Sequence, residues 1–148
     1  MSKKIEYDYD KSIGVLLSVA SQSMRLHLSR RFSEAGLDVS PEQWRVMMVI
    51  WNSEGLSQRE LADRCFMNKV SISKLLAPLE KRGLVYRERS EADRRGNRVF
   101  LTDAGYELHR QMVDLAKQNL QQAEQGIDPD DLDTFRAVAR QIITNIKP

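Results

Sequence analysis

The stretch "RSEADRRGNRVFLT" (89–102) gathers Arg89, Arg94, Arg95 and Arg98 and then turns abruptly apolar. Upstream, "LVYRE" (84–88) alternates large and charged residues; downstream, "RVFLT" (98–102) is rich in β-branched and aromatic side chains. Both flanks read as short strands. Between them Gly96 and Asn97 tolerate the positive φ that a reversing chain needs. The stretch is expected to form a long-looped hairpin with guanidinium groups at its tip. Such groups suit phosphate or a narrow, electronegative groove; a merely solvated tip is the alternative.

On the N-terminal side of the hairpin, "SQRE" (57–60) is a capping box that opens a short helix, Gln58 to about Arg64. After a break at Phe66-Met67, "NKVSISKLLAPLEKRG" (68–83) reads as a second helix, Asn68 to Arg82, closed by Gly83. Val70, Leu75, Leu76 and Leu79 are expected inside, with Asn68, Lys69, Ser71, Ser73 and Lys74 exposed. Pro78 removes the bond to the Lys74 carbonyl. The helix should therefore bend there, or its regular part should end one turn early. A short helix, a turn, a second helix and a hairpin make a winged helix-turn-helix. Its second helix would enter a major groove about 12 Å wide, where Asn can read adenine and Lys guanine. Ser57 and Gln58 could bind phosphate through backbone N–H groups. A solvated polar face is the competing reading of this helix.

Further out the chain is helical on both sides. Residues 10–35 set Ile13, Leu16, Leu17, Ala20, Met24, His27, Leu28 and Phe32 at three- and four-residue spacing, ending near Gly36. "SPEQ" (40–43) supplies an N-cap, a first-turn proline and a capping-box glutamine. The helix it starts, about 41–52, is apolar nearly all round and so should be buried on more than one side. Thr102 caps a helix to about Gln125, with Leu108, Met112, Leu115, Ala116 and Leu120 inward; Asp128-Pro129 opens a last one bearing Leu132, Phe135, Val138, Ala139, Ile142, Ile143 and Ile146. These long terminal helices carry more apolar surface than so small a middle can cover. A second copy of the chain is the economical cover. The expected fold is mainly α with a small β-hairpin wing. Residues 1–36 and 103–148 would dimerise and 37–102 would form the winged module, as one structural unit.

Charge is segregated along the chain. Residues 1–56 balance at zero, 57–98 carry eleven basic against six acidic side chains, and 99–148 carry five against eight. A basic middle is what a local polyanion site needs, because Lys and Arg release condensed counterions from phosphate. At 148 residues, with 41% hydrophobic and 30% charged, the composition is that of a soluble domain. No apolar run approaches the roughly 20 residues that span a bilayer. The start "MSKKIEYDYDKS" shows no apolar signal core, so a cytoplasmic place and no membrane partner are expected. A single cysteine excludes a disulfide framework and a clustered thiolate site. No metal and no cofactor are called for, and no convergent set of titrating groups suggests an enzyme.

In "LSQRELADR" (56–64), "SISKLLAPLEKRGLVYR" (71–87) and "DRRGNRVFLTDAG" (93–105) the sequence resembles the MarR family of bacterial transcription regulators. "SPEQWRVMMVI" (40–50) is similar to that family's second helix. The resemblance implies an obligate homodimer on a near-palindromic double-stranded operator, and usually repression relieved by a small-molecule effector or oxidant. It places Arg95 at the wing tip in the minor groove, with Arg94 and Arg98 flanking it on the backbone. Asp93 matches the wing's signature acid; beside phosphate it would repel, so it should hold turn amides or an arginine. Some relatives sense peroxide through a first-helix cysteine, where this chain has none. Cys65 falls in the helix-turn-helix instead and reads as a small buried hydrophobe. The family's effector pocket would here be lined by residues such as Leu17, His27, Trp44, Met48, Trp51 and Met112. Large residues at that spacing also suit plain core. His27 and His109 are too few and too far apart in sequence to suggest a metal site. The resulting expectation is a homodimeric DNA-binding repressor released by a ligand. The alternatives are a winged-helix protein-interaction module, or an activator without ligand response.

Overall fold

The computed structural model describes residues 7–89 and 96–147. Among these the chain forms helices α1 (Ile13–Glu34), α2 (Pro41–Asn52), α3 (Gln58–Cys65), α4 (Lys69–Lys81), α5 (Asp103–Glu124) and α6 (Pro129–Ile146). Its strands are β1 (Leu56–Ser57), β2 (Val85–Arg89) and β3 (Asn97–Leu101). No helix among the described residues is long and apolar enough to cross a membrane.

The caps fall where the sequence puts them. Ser40 with Gln43, and Ser57 with Glu60, close reciprocal capping boxes; Thr102 and Asp128 accept from Gly105 and Asp130 amides. Gly83 stops α4 just past its C-cap at Arg82: its φ of 70° lets the Gly83 and Leu84 amides reach back to the Glu80 and Leu79 carbonyls. The helix runs unbroken through Pro78 to Lys81, so it does not end a turn early. Pro78 is exposed, and its ring meets solvent rather than a neighbouring element.

The hairpin belongs to a three-stranded antiparallel sheet in the order β1-β3-β2. The residues Leu56 and Ser57 pair with Val99 and Arg98, adding a strand too short for an alternation signal. Register opposes Val85 to Leu101 and Arg87 to Val99, which turns Val85, Val99 and Leu101 inward. On the other face Tyr86 lies opposite Phe100, their rings stacked at 5.3 Å.

The core is shared among all elements except α6: Phe32 from α1, Val46, Met47 and Ile50 from α2, Leu61 and Cys65 from α3, Ile72, Leu76 and Leu79 from α4, and Met112 from α5. Two inward assignments change. Leu120 is exposed and Asn119 is buried in its place. Its amide oxygen meets His27 Nδ1 at 2.5 Å and its Nδ2 donates to the Met24 carbonyl at 3.3 Å. Val70 also faces out. Ile72, Leu76 and Leu79 set α4's inner face, and two residues back from Ile72 is about 200° of helical turn. α6 has no buried residue at all, and Phe135 is 55% and Ile146 76% exposed.

Candidate nucleic-acid interface

The outermost line of α4 follows from its buried one. Opposite Ile72, Leu76 and Leu79 stand Val70, Lys74 and Ala77, spaced i, i+4 and i+7, with Lys81 one turn on and Ser73 beside them. Lys69 and Lys74 are exposed, while Ser71 and Ser73 are half-buried. The ridge carries cations and methyl groups and no carboxylate. Glu80, on its flank, lies 3.2 Å from Arg87 Nε.

Asn68 is placed differently from a base reader. It is the N-cap of α4, and its Oδ1 accepts from the Ser71 amide at 2.8 Å. The bidentate adenine contact needs that oxygen, so in this rotamer only the Asn68 Nδ2 is left to donate. Capping and base reading draw on the same Asn68 oxygen, and in this structure the cap holds it.

The start of α3 already holds an anion. Ser57 N–H donates to Glu60 Oε2 at 2.7 Å, and Glu60 N–H to Ser57 Oγ at 3.1 Å. The Ser57 backbone bond, ahead of its hydroxyl, holds the Glu60 carboxyl below its ordinary range. A phosphate at the Ser57 amide would have to displace a carboxylate. Gln58 Oε1 accepts from Arg87 Nη1 at 3.3 Å, so its side chain faces the sheet.

That contact exposes a residue the sequence reading passed over. Half-buried Arg87 on β2 reaches both α3 through Gln58 and α4 through Glu80, and so ties the wing to the two helices it follows. At 3.2 Å the Nε–carboxylate approach is an ion pair by distance, though Nε lacks an aligned hydrogen bond. Arg98 is exposed, but Nη1 donates to the Gly55 carbonyl at 2.6 Å, fastening the β1 turn. Asp93, Arg94 and Arg95 lie outside the described residues.

The wing returns to the body at Thr102 and Gly105. Thr102 N–H donates to the Leu84 carbonyl at 3.1 Å, and its hydroxyl to the Gly83 carbonyl at 2.5 Å. Gly105 lies against that same Leu84 carbonyl so closely that a Cβ would sit 2.1 Å from the oxygen. Only glycine lets the strand and α5 meet here.

The six residues expected to line a pocket fall in different surroundings. Trp44 and Met112 are core. His109 is sandwiched between Trp44 at 4.9 Å and Trp51 at 4.5 Å, both nearly parallel to it. It is 2% exposed with Nδ1 unpartnered, and burial pushes its pKa below the ordinary value. α2's all-round apolarity thus answers to α5 on one side, a partner its own pattern cannot name. Met48 and Trp51 are partly open to solvent, and Leu17 is half-buried on α1. His27 instead lines a cavity of about 250 Å³ with Ser23, Met24, Asn119, Gln122 and Ala123, between α1 and α5. Along α5, Asn119 and His109 stand about 15 Å apart, so the two histidines serve separate places. Cys65 is fully buried, and desolvation raises its pKa against the weaker opposing pull of Arg45. It is a core thiol.

Residues 37–96 match the MarR family model. The chain is 40% identical over 70 residues to the HTH-type transcriptional regulator TtmR of Methylorubrum extorquens, covering 47% of this chain and 36% of that protein. It is 28% identical over 137 residues to the HTH-type transcriptional regulator SarZ of Staphylococcus epidermidis, covering 88% of this chain and 91% of the relative. The chain thus spans about a third of TtmR's length and nine-tenths of SarZ's. Its fold is shared with BpsR of Bordetella bronchiseptica, whose DNA binding is regulated by 6-hydroxynicotinic acid. The TM-score is 0.84 at 21% identity, over 93% of this chain and 96% of that one.

Proposed function

We propose that this chain, whose residues 37–96 match the MarR family model, is a homodimeric regulator of transcription of that family, which reads a near-palindromic DNA site and is released from it by a small ligand. The observation that carries the reading is the exposed ridge of α4, whose Lys74 and Lys81, with exposed Lys69 at the start of the helix, form no ion pair among the described residues. Set on a helix whose inner face is locked into the core, this ridge suits insertion into a major groove. Lys74 would donate to guanine O6 and N7, with Lys69 beside it on a phosphate. Ser71 and Ser73, half-buried, can contact DNA with hydroxyls only at the groove walls. Asn68 would contribute its Nδ2 alone, and Gln58 would act through Arg87 rather than on phosphate. Arg94, Arg95 and Arg98 would carry the wing's contacts, the first two on sequence grounds and Arg98 with its Nη2 side.

Dimerisation is supported by the apolar stripe of α6, which no described residue of the same protomer buries, and by exposed Ile13, Leu16 and Val19 on α1. Two-fold symmetry would set the half-sites about one helical turn apart. The cavity at His27 and Asn119 lies between α1 and α5, where a ligand could alter how the dimer holds its winged arms. Repression follows if the bound site overlaps a promoter.

The test is a binding titration against duplexes selected from random DNA, repeated across salt concentrations. The affinity should fall linearly in log–log form, and Lys74→Ala should relax preference at one base pair per half-site. A flat salt response, or equal binding to scrambled duplex, would sink the DNA-binding reading.

A further inference from the structure

The sequence assigns Val70 to the core, yet the structure leaves it 63% exposed at the second position of α4, on the outermost line with Lys74 and Ala77. What sets Val70 apart from other exposed apolar residues is its place: it stands on the outward line of a helix whose other exposed side chains there are Lys74, Ala77 and Lys81. The geometry points to Val70 as a specificity-determining residue that reads the C5-methyl group of a thymine. This rests on the DNA-binding reading above and adds to it a base identity.

The chemistry is particular to the site. In the major groove thymine is the base that presents a methyl group, and an apolar side chain is what recognises it. Val70 carries two methyl groups and no hydrogen-bonding atom, so it cannot serve guanine, adenine or cytosine. Its neighbours fix the direction it faces. The N-cap bond from the Ser71 amide to Asn68 pins the first turn, and buried Ile72 pins the side of α4 that packs on the body. Val70 and Lys74 are one turn apart, about 6 Å along the helix, against about 3.4 Å per base step. The thymine should therefore lie within about two base pairs of the pair that Lys74 contacts. Charge complementarity supports DNA as the occupant: Lys69 and Lys74 flank Val70, a pattern poorly suited to an apolar protein surface.

The full-length protein is titrated against its selected duplex and against duplexes in which each thymine in turn is replaced by deoxyuridine, which removes the methyl group alone. One thymine per half-site should show a loss of about 3- to 5-fold, the worth of one buried methyl group. Val70→Ala should bind the parent duplex that much more weakly and be indifferent to the same replacement. Val70→Thr keeps the shape and exchanges one methyl group for a hydroxyl, so it should lose part of the methyl preference while keeping non-specific affinity. If wild type binds specifically but every deoxyuridine duplex affects wild type and Val70→Ala alike, the methyl assignment is overturned and the DNA-binding reading survives. If Val70→Ala instead alters the sedimentation coefficient, Val70 belongs to a protein contact and the assignment also fails. Absence of specific binding by wild type would overturn both.

Discussion

Gly105→Ala places a single methyl group at the joint between wing and body. The new Cβ would lie 2.1 Å from the Leu84 oxygen, 3.1 Å from its carbon and 3.4 Å from Leu101 Cβ. An unstrained carbon–oxygen contact needs about 3.3 Å, so the parts must separate by roughly 1 Å. The obstacle is backbone, and it is not free to turn away, because the Leu84 carbonyl accepts the Thr102 amide at 3.1 Å. Overpacking of this kind costs about 1–3 kcal/mol. Against it stands the helix preference for alanine over glycine, about 1 kcal/mol. The clash should win, because it cannot be relieved by rotating a side chain and so lies toward the upper end of that range, leaving a net loss of up to about 2 kcal/mol. For a chain of this length that lowers the midpoint by about 2–4 °C per kcal/mol. Thermal and denaturant unfolding of the full chain would measure it. Because the shift falls between α5 and the junction of α4 with β2, affinity for DNA should drop as well. A variant as stable as wild type would refute the close approach on which the argument depends.

Asn68→Ala should cost about 1 kcal/mol through loss of the α4 cap, whereas Asn68→Ser should restore stability and most of the DNA affinity. A loss of base preference in the serine variant with stability intact would show instead that Asn68 reads a base. Burial holds His109 below its ordinary pKa of 6.5, so the unfolded chain binds the proton first as pH falls. Stability should be full above about pH 6.5 and decline progressively below it. His109→Phe keeps a stacking ring between the two tryptophans and should flatten that slope; an unchanged slope in denaturation midpoints would assign it elsewhere. Removing residues 129–148 takes away α6, and sedimentation should then show monomer or aggregate rather than a dimer of unchanged stability.

The sequence determined by itself what local chemistry settles. Caps at Ser40, Ser57, Thr102 and Asp128, the glycine stop at Gly83 and the helical spacing of apolar residues each act within a few residues of the chain. The six helices, the hairpin and the basic middle were therefore legible before any packing was known. Tertiary structure decided the facing. Periodicity shows that α4 has an apolar side, but whether Val70 joins it depends on where α2 and α3 lie against Ile72, Leu76 and Leu79. The strand at Leu56–Ser57 exists only because Val99 and Arg98 offer it a ladder. Asn119 is buried and Leu120 is not, because His27 and the Met24 carbonyl, more than ninety residues away in sequence, satisfy the amide. His109 stacks between Trp44 and Trp51 because α5 crosses α2 there. A residue's neighbours along the chain fix its conformation; its neighbours in space fix which of its atoms remain free to act.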